Sequence, residues 1–285
     1  IFKQKKNRKH NALIDAAAGG YLDIVTFLLK QKEIKIDHTN SQKLDALTVA
    51  VKNQHFDVMK ALIQKGAMKK YNDEKIGELF LSALGTNDLK MAKYIDSVCK
   101  VPYFSKSNHR VVKWCRVSSL KMDENTKWGT QFLQQACLLE NEEMIDFILD
   151  KKVDFQGVDL SLLTSKKWTP FMDFLITKGV DLSNSLSSEG APLIVSTIKG
   201  GNLANIKKMI SKGSLLNAEI IQKHNCVLEA CRLGKTDLFD FLMSFDPIIS
   251  NGEDCVSCCL YCYMKRELPK KLYMAEKLLE KGFVD

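Results

Sequence analysis

Small residues return at one fixed interval along this chain. Ala16, Ala50 and Ala83 stand 34 and then 33 residues apart, and the apolar residues around them return in step. Ala46-Leu47 repeats Ala12-Leu13, and Leu62-Ile63 repeats Leu28-Leu29. Inside one interval the spacing is helical on both sides of a break. Asn11 can cap a first helix whose narrow apolar face is Leu13, Ala16 and Ala17. Gly19 and Gly20 interrupt it, and Leu22, Ile24, Val25, Leu28 and Leu29 then share one face of a second helix. A pair of helices this short cannot bury such a face alone. It needs a neighbour of the same shape, so the interval predicts a stacked array of helix pairs.

A period of about 33 residues made of helix, turn and helix resembles the ankyrin repeat. The closest echoes of that consensus are Ala191-Pro192-Leu193, Gly20-Tyr21-Leu22, Leu28-Leu29 and Lys65-Gly66-Ala67. The resemblance implies an all-α ankyrin-repeat solenoid of about seven to eight stacked helix-turn-helix pairs with hairpin loops and one irregular insertion. Repeats one to three fall within residues 1–96. From Ala83 the next matching alanine is Ala136, which leaves a surplus of about 20 residues over one period, held in residues 97–129. Repeats four to eight fill residues 130–285, continuing a single solenoid. The fifth is short, and the eighth joins a cysteine-rich first helix to Met274-Ala275-Glu276 and the residues after it.

Composition narrows the function classes. The chain is 45% hydrophobic and 27% charged, which fits a packed protein, and no apolar run reaches the roughly 18 residues of a membrane span. Its first residue is Ile1, so a fragment of a larger protein is expected. Nine cysteines without a signal sequence point to free thiols in an intracellular, cytoplasmic setting, with the nucleus also open. Gly234-Lys235-Thr236 is half of a phosphate-binding loop, but the glycine needed five residues earlier is Glu229, and a helix precedes it where a strand is required. Cys255, Cys258, Cys259 and Cys262 fall at i, i+3, i+4 and i+7, one stripe of a helix about 10 Å long, too long for one tetrahedral ion. They read as packing thiols. The five histidines are scattered. These residues predict no catalytic centre, metal, cofactor or small-molecule substrate.

The resemblance implies a protein–protein interaction scaffold that receives its partner in a concave groove lined by hairpin tips and the exposed sides of first helices. The matching positions nominate Lys52, Asn53, Thr86, Leu138, Leu139, Lys166 and Arg232 on first helices, His224 just before one, and Lys75 and Trp128 at hairpin tips. The net charge of +8 favours an acidic surface on that partner. Residues 97–129 add Trp114 and several lysines and arginines. They are expected either to project beside the groove, supplying Trp114 or Trp128 to the partner, or to fold as a worn repeat with Trp114 in the core. Two other functions stay open: binding of nucleic acid or another anionic surface through this basic, aromatic insertion and the lysine-rich first ten residues, and targeting of a catalytic domain that lies outside this stretch.

Overall fold

The computed structural model describes residues 12–104, 127–164, 169–182, 190–249, 252–260 and 268–282. It is helical at 63%, and its one β-type pairing among the described residues is a single bridge between Thr39 and Asp45. The chain divides into two units, residues 1–154 and 155–285.

The first unit holds four helix pairs: α1 (12–18) with α2 (Leu22–Leu29), α3 (Ala46–Lys52) with α4 (Phe56–Gln64), α5 (Asp73–Gly85) with α6 (Leu89–Val98), and α7 (Trp128–Leu138) with α8 (Glu142–Leu149). The first helices stack in order, α3 on α5 and α5 on α7, and α2 lies against α4. Ala16, Ala50, Ala83 and Ala136 are all buried, so the recurrent small residue marks where one helix approaches the next. The turns inside the pairs share one left-handed residue: Gly20, Gln54, Asn87 and Glu140 have φ of 73°, 63°, 61° and 52°. Glycine is required only in the first, because a Cβ on Gly20 would stand 2.6 Å from the His55 ring.

Two interactions fix the register of α3, α5 and α7. Asp45 is buried before α3, where its carboxylate accepts from the Thr48 N–H at 2.9 Å and the Tyr71 hydroxyl at 2.6 Å and pairs with Lys75 Nζ at 3.0 Å. Burial alone would raise its pKa, but these donors outweigh it and hold the carboxyl below the usual range. The second is an aromatic cluster. Phe80 of α5 meets Phe132 of α7 at 4.7 Å between ring centres, and Trp128 stacks on Phe132 at 5.7 Å. Gly77 makes room for the indole, since a Cβ there would lie 2.4 Å from it. Tyr103 closes the cluster edge-on to both phenylalanines, and its hydroxyl donates to Asp96, which also pairs with Lys151.

The backbone carbonyl of Tyr103 accepts from the N–H of Gly129 at 2.7 Å. The strands of chain on either side of residues 105–126 are therefore clasped together at the base. With α5 directly on α7, no further helix pair separates the third repeat from the fourth. Trp114 lies outside the described residues.

The second unit contains α9 (Ser161–Thr164), α10 (Pro170–Thr177), α11 (Leu193–Lys199), α12 (Leu203–Ser211), α13 (Ala218–Lys223), α14 (Cys226–Leu233), α15 (Thr236–Met243), α16 (Gly252–Leu260) and α17 (Leu268–Glu280). Again the first helices stack, α9 on α11, α11 on α14 and α14 on α16. Helix α13 is a short extra helix ahead of α14: Asn217 caps it and Ile221 is buried. Cys255 and Cys259 are buried, whereas Cys258 is turned partly outward, and Cys262 lies outside the described residues. A third buried thiol, Cys231 of α14, hydrogen-bonds toward Cys255 and Cys259. The hydrogen bond from Cys231 lowers the pKa of Cys259, and burial opposes it. Among the described residues no group of three His, Cys, Asp or Glu is placed to hold a metal ion.

Truncating Trp128 to alanine should destabilise the fold by about 3–5 kcal/mol, read from the urea midpoint. Replacing Asp45 by alanine removes a helix cap and two further partners and should cost about 2–4 kcal/mol near neutral pH. Because the folded pKa is depressed, that contribution is present above the unfolded value of about 3.9 and is lost as pH falls through the folded pKa. Urea titrations of wild type and Asp45→Ala should therefore converge in acid.

Candidate interaction surface

In the first unit the C-terminal ends of three successive first helices form a row. Lys52 is the last residue of α3 and Asn53 its cap; Gly85 ends α5 with Thr86 as cap; Leu138 ends α7 with Leu139 as cap. The stacking of α3, α5 and α7 brings these three pairs side by side. Lys52, Thr86, Leu138 and Leu139 are half-buried, and Asn53 is exposed. A side chain at Gly85 would meet nothing within 4 Å, so the row has a notch at its middle member.

Side chains from the turns fasten this row. The Asn53 amide donates to the carbonyl of Ala18 at 2.8 Å, and His55 Nε2–H donates to the same oxygen at 2.9 Å. Gln54 donates to the Thr86 carbonyl at 3.3 Å, and Asn141 to the Asn87 side-chain oxygen at 2.6 Å. Each turn is thus tied to the next by a bond that leaves the outer faces of Lys52, Leu138 and Leu139 in place. Asn53 and Thr86, nominated as contact residues, are themselves parts of this fastening.

Two other nominated positions sit elsewhere than expected. Lys75 is no hairpin tip: Asn72 caps α5 six residues before Glu78, which the alanine alignment matches to the Asp45 cap of α3, and Lys75 turns inward to Asp45. Trp128 is likewise the first residue of α7 and is 1% exposed, held in the core by Phe132 and Gly77. Trp128 cannot meet a partner as placed, whereas Lys75 keeps part of its side chain open. Lys166 and Trp114 lie outside the described residues. In the second unit, Arg232 is exposed and makes a two-point contact with Glu229 one turn back, and His224 caps α13 with its pKa lowered by burial and by Lys223 and Lys199. A residue that the alignment did not nominate, Glu78 of α5, is half-buried with Lys75, Glu74, Lys52 and Asp45 in its field. Burial is the largest influence and raises its pKa; Lys75 and Lys52 pull the other way. The signal was an acidic residue one period-turn from Lys75 on the same helix face.

A raised carboxyl pKa makes the fold favour the protonated form. The stability gained from Glu78 is full below its unfolded pKa of about 4.3 and is lost as pH rises through the folded value. Glu78→Gln should remove that decline and leave the protein more stable than wild type at neutral pH, measured by urea unfolding across the range.

A family model described as ankyrin repeats, in three copies, matches residues 2–73. The ankyrin repeat and KH domain-containing protein mask-1 of Caenorhabditis elegans is 24% identical over 250 residues, which covers 85% of this chain and 9% of that protein. Alpha-latrocrustotoxin-Lt1a of Latrodectus tredecimguttatus is 43% identical over 63 residues, 22% of this chain and 4% of the toxin. The chain spans less than a tenth of the length of either relative. A chain in the solved complex of a predatory endopeptidase from Bdellovibrio bacteriovorus with an immunity protein superposes with a TM-score of 0.50 at 21% identity, over 70% of this chain and 97% of that one. At that identity the likeness is one of fold. Residues 2–73 thus match ankyrin repeats, and the helix pairs that follow, with left-handed residues in their turns, continue an all-α repeat solenoid.

Proposed function

We propose that the chain is a binding module for another protein, and that the row formed by Lys52, Gly85, Leu138 and Leu139 in the first unit is where it binds. The observation that carries this is the notch at Gly85. It lies between a basic side chain and a pair of half-buried leucines, on turns already fastened to one another, so a partner side chain can enter without ordering the receptor first. Ankyrin repeats are in general protein-interaction modules. The chemistry on offer is apolar contact with flanking positive charge, which suits an apolar side chain set in an acidic surface. Arg232 holds the corresponding first-helix position in the second unit. The role needs no catalysis by these residues.

Filling the notch tests this directly. Gly85→Gln adds a side chain into open space and should leave the melting temperature unchanged. With a photo-crosslinking residue at Leu139, wild type should capture a protein partner that the same residue at Lys60, on the opposite helix, does not. Gly85→Gln should weaken that capture about tenfold or more. Capture that persists unchanged with the notch filled rules out this row. Binding of a single-stranded polynucleotide with a steep loss of affinity on added salt would favour the anionic-surface reading instead.

A further inference from the structure

Three buried thiols and a buried lysine meet around α16, which packs against both α14 and α17. Cys231 of α14 and Cys255 and Cys259 of α16 are each 0% exposed. Cys255 and Cys259 stand one turn apart on one face of α16, and Cys231 hydrogen-bonds toward both. Cys258 is half-buried, so the cluster comes to solvent at that residue. Lys271 of α17 is only 8% exposed, and its charge acts on Cys258 and Cys259. A lysine kept this far out of water beside thiols favours the anionic form of a sulfur.

The thiols are not equivalent. Hydrogen bonds to Cys255 and Cys259, with burial, push Cys231 up, so it keeps its proton. Burial and the two neighbouring thiols raise Cys258 as well; Asp254 adds to this and Lys271 opposes it. Arg232 of α14, paired with Glu229, also lies in the field of Cys258. Cys259 alone among these goes down, because the Cys231 S–H donates to it and Lys271 favours its charge, with burial opposing. The arrangement is therefore a thiolate at Cys259 with a protonated thiol, Cys231, in contact with it. A thiolate is the nucleophile toward peroxides, and a thiol touching it is placed to resolve the product.

We propose that Cys259 and Cys231 are a redox-switched pair, oxidised by a hydroperoxide to a disulfide that ties α14 to α16 and returned to two thiols by a dithiol. The Cys259 sulfur attacks one peroxide oxygen. The O–O bond breaks, Cys259 becomes a sulfenic acid, and the leaving hydroxide takes a proton to become water. The Cys231 sulfur, losing its proton, then attacks the Cys259 sulfur. The S–S bond forms, the S–O bond breaks, and the oxygen leaves as a second water. The two thiols give up two electrons and the peroxide takes them. Hydrogen peroxide is little larger than water and enters on the Cys258 side. Disulfides made and unmade in this way are the kind found in reducing compartments. The bond would fasten covalently a seam that is otherwise held by packing alone.

The test treats the chain with hydrogen peroxide, blocks the remaining thiols and maps disulfides by mass spectrometry. Cys231 should be found joined to Cys259, and dithiothreitol should release the link. It should form about tenfold or more faster in the folded protein than in concentrated urea, where the sulfurs are no longer held together. Cys231→Ser should leave a sulfenic acid at Cys259 that dimedone captures, and Cys258→Ser should leave the link unchanged. Lys271→Met should slow the link about tenfold and move the midpoint of its rate-against-pH profile upward, and Lys271→Arg should restore both. A packing role alone would not move that midpoint. Three results overturn the proposal: oxidation that joins other cysteines in place of this pair, a link that forms as fast in urea, or a pH midpoint that Lys271→Met leaves where it was.

Discussion

The seam between adjacent helix pairs is the interaction on which everything else here depends. Inside a pair there is too little apolar surface to offset the entropy of ordering some thirty residues. Stability therefore resides in what each pair shares with its neighbours: alanines that let first helices touch, the third, fourth and seventh residues of second helices that fill the space behind, and turn side chains that bind the next turn's carbonyl. Because these terms are local, each seam can vary without disturbing the rest. The seam between α3 and α5 uses a buried carboxylate among three donors, that between α5 and α7 four aromatic rings, and that between α14 and α16 three thiols.

Much of this was legible in the sequence because the alanine spacing reports the stacking directly. Fold class and the order of the described pairs follow from it. What the spacing cannot give is where each first helix begins. Alignment on Ala83 and Ala136 put Lys75 and Trp128 in hairpins, but α5 and α7 start early, and that moves both side chains inward. The local evidence for α5 was present in Asn72 followed by Asp73 and Glu74, a cap and an acidic first turn, and it outweighs register borrowed from the shorter α3. For Trp128 the deciding residue is Gly77, 51 positions away, and no local pattern connects the two.

The candidate surface was partly legible. First-helix positions pointed to Lys52, Leu138 and Leu139, which the structure does align in one row. The same logic could not say that Asn53 and Thr86 were occupied in holding the turns together, since that depends on the neighbouring repeat's carbonyls. Nor could it give weight to Gly85, whose importance is the absence of a side chain between two occupied positions. Glu78 escaped notice because charge on a first helix looks solvated until burial is known.

The clasp between Tyr103 and Gly129 separates the accounting of the stack from that of the chain it bridges. With the two ends held by a backbone hydrogen bond and an aromatic cluster, any flexible connection between such ends would cost a closure entropy that grows only logarithmically, about 0.6 kcal/mol for each doubling of length. The stack is therefore nearly indifferent to what is spliced in at that point. In evolutionary terms it is a port, a place where residues can be gained, lost or exchanged while the seams on either side keep their register.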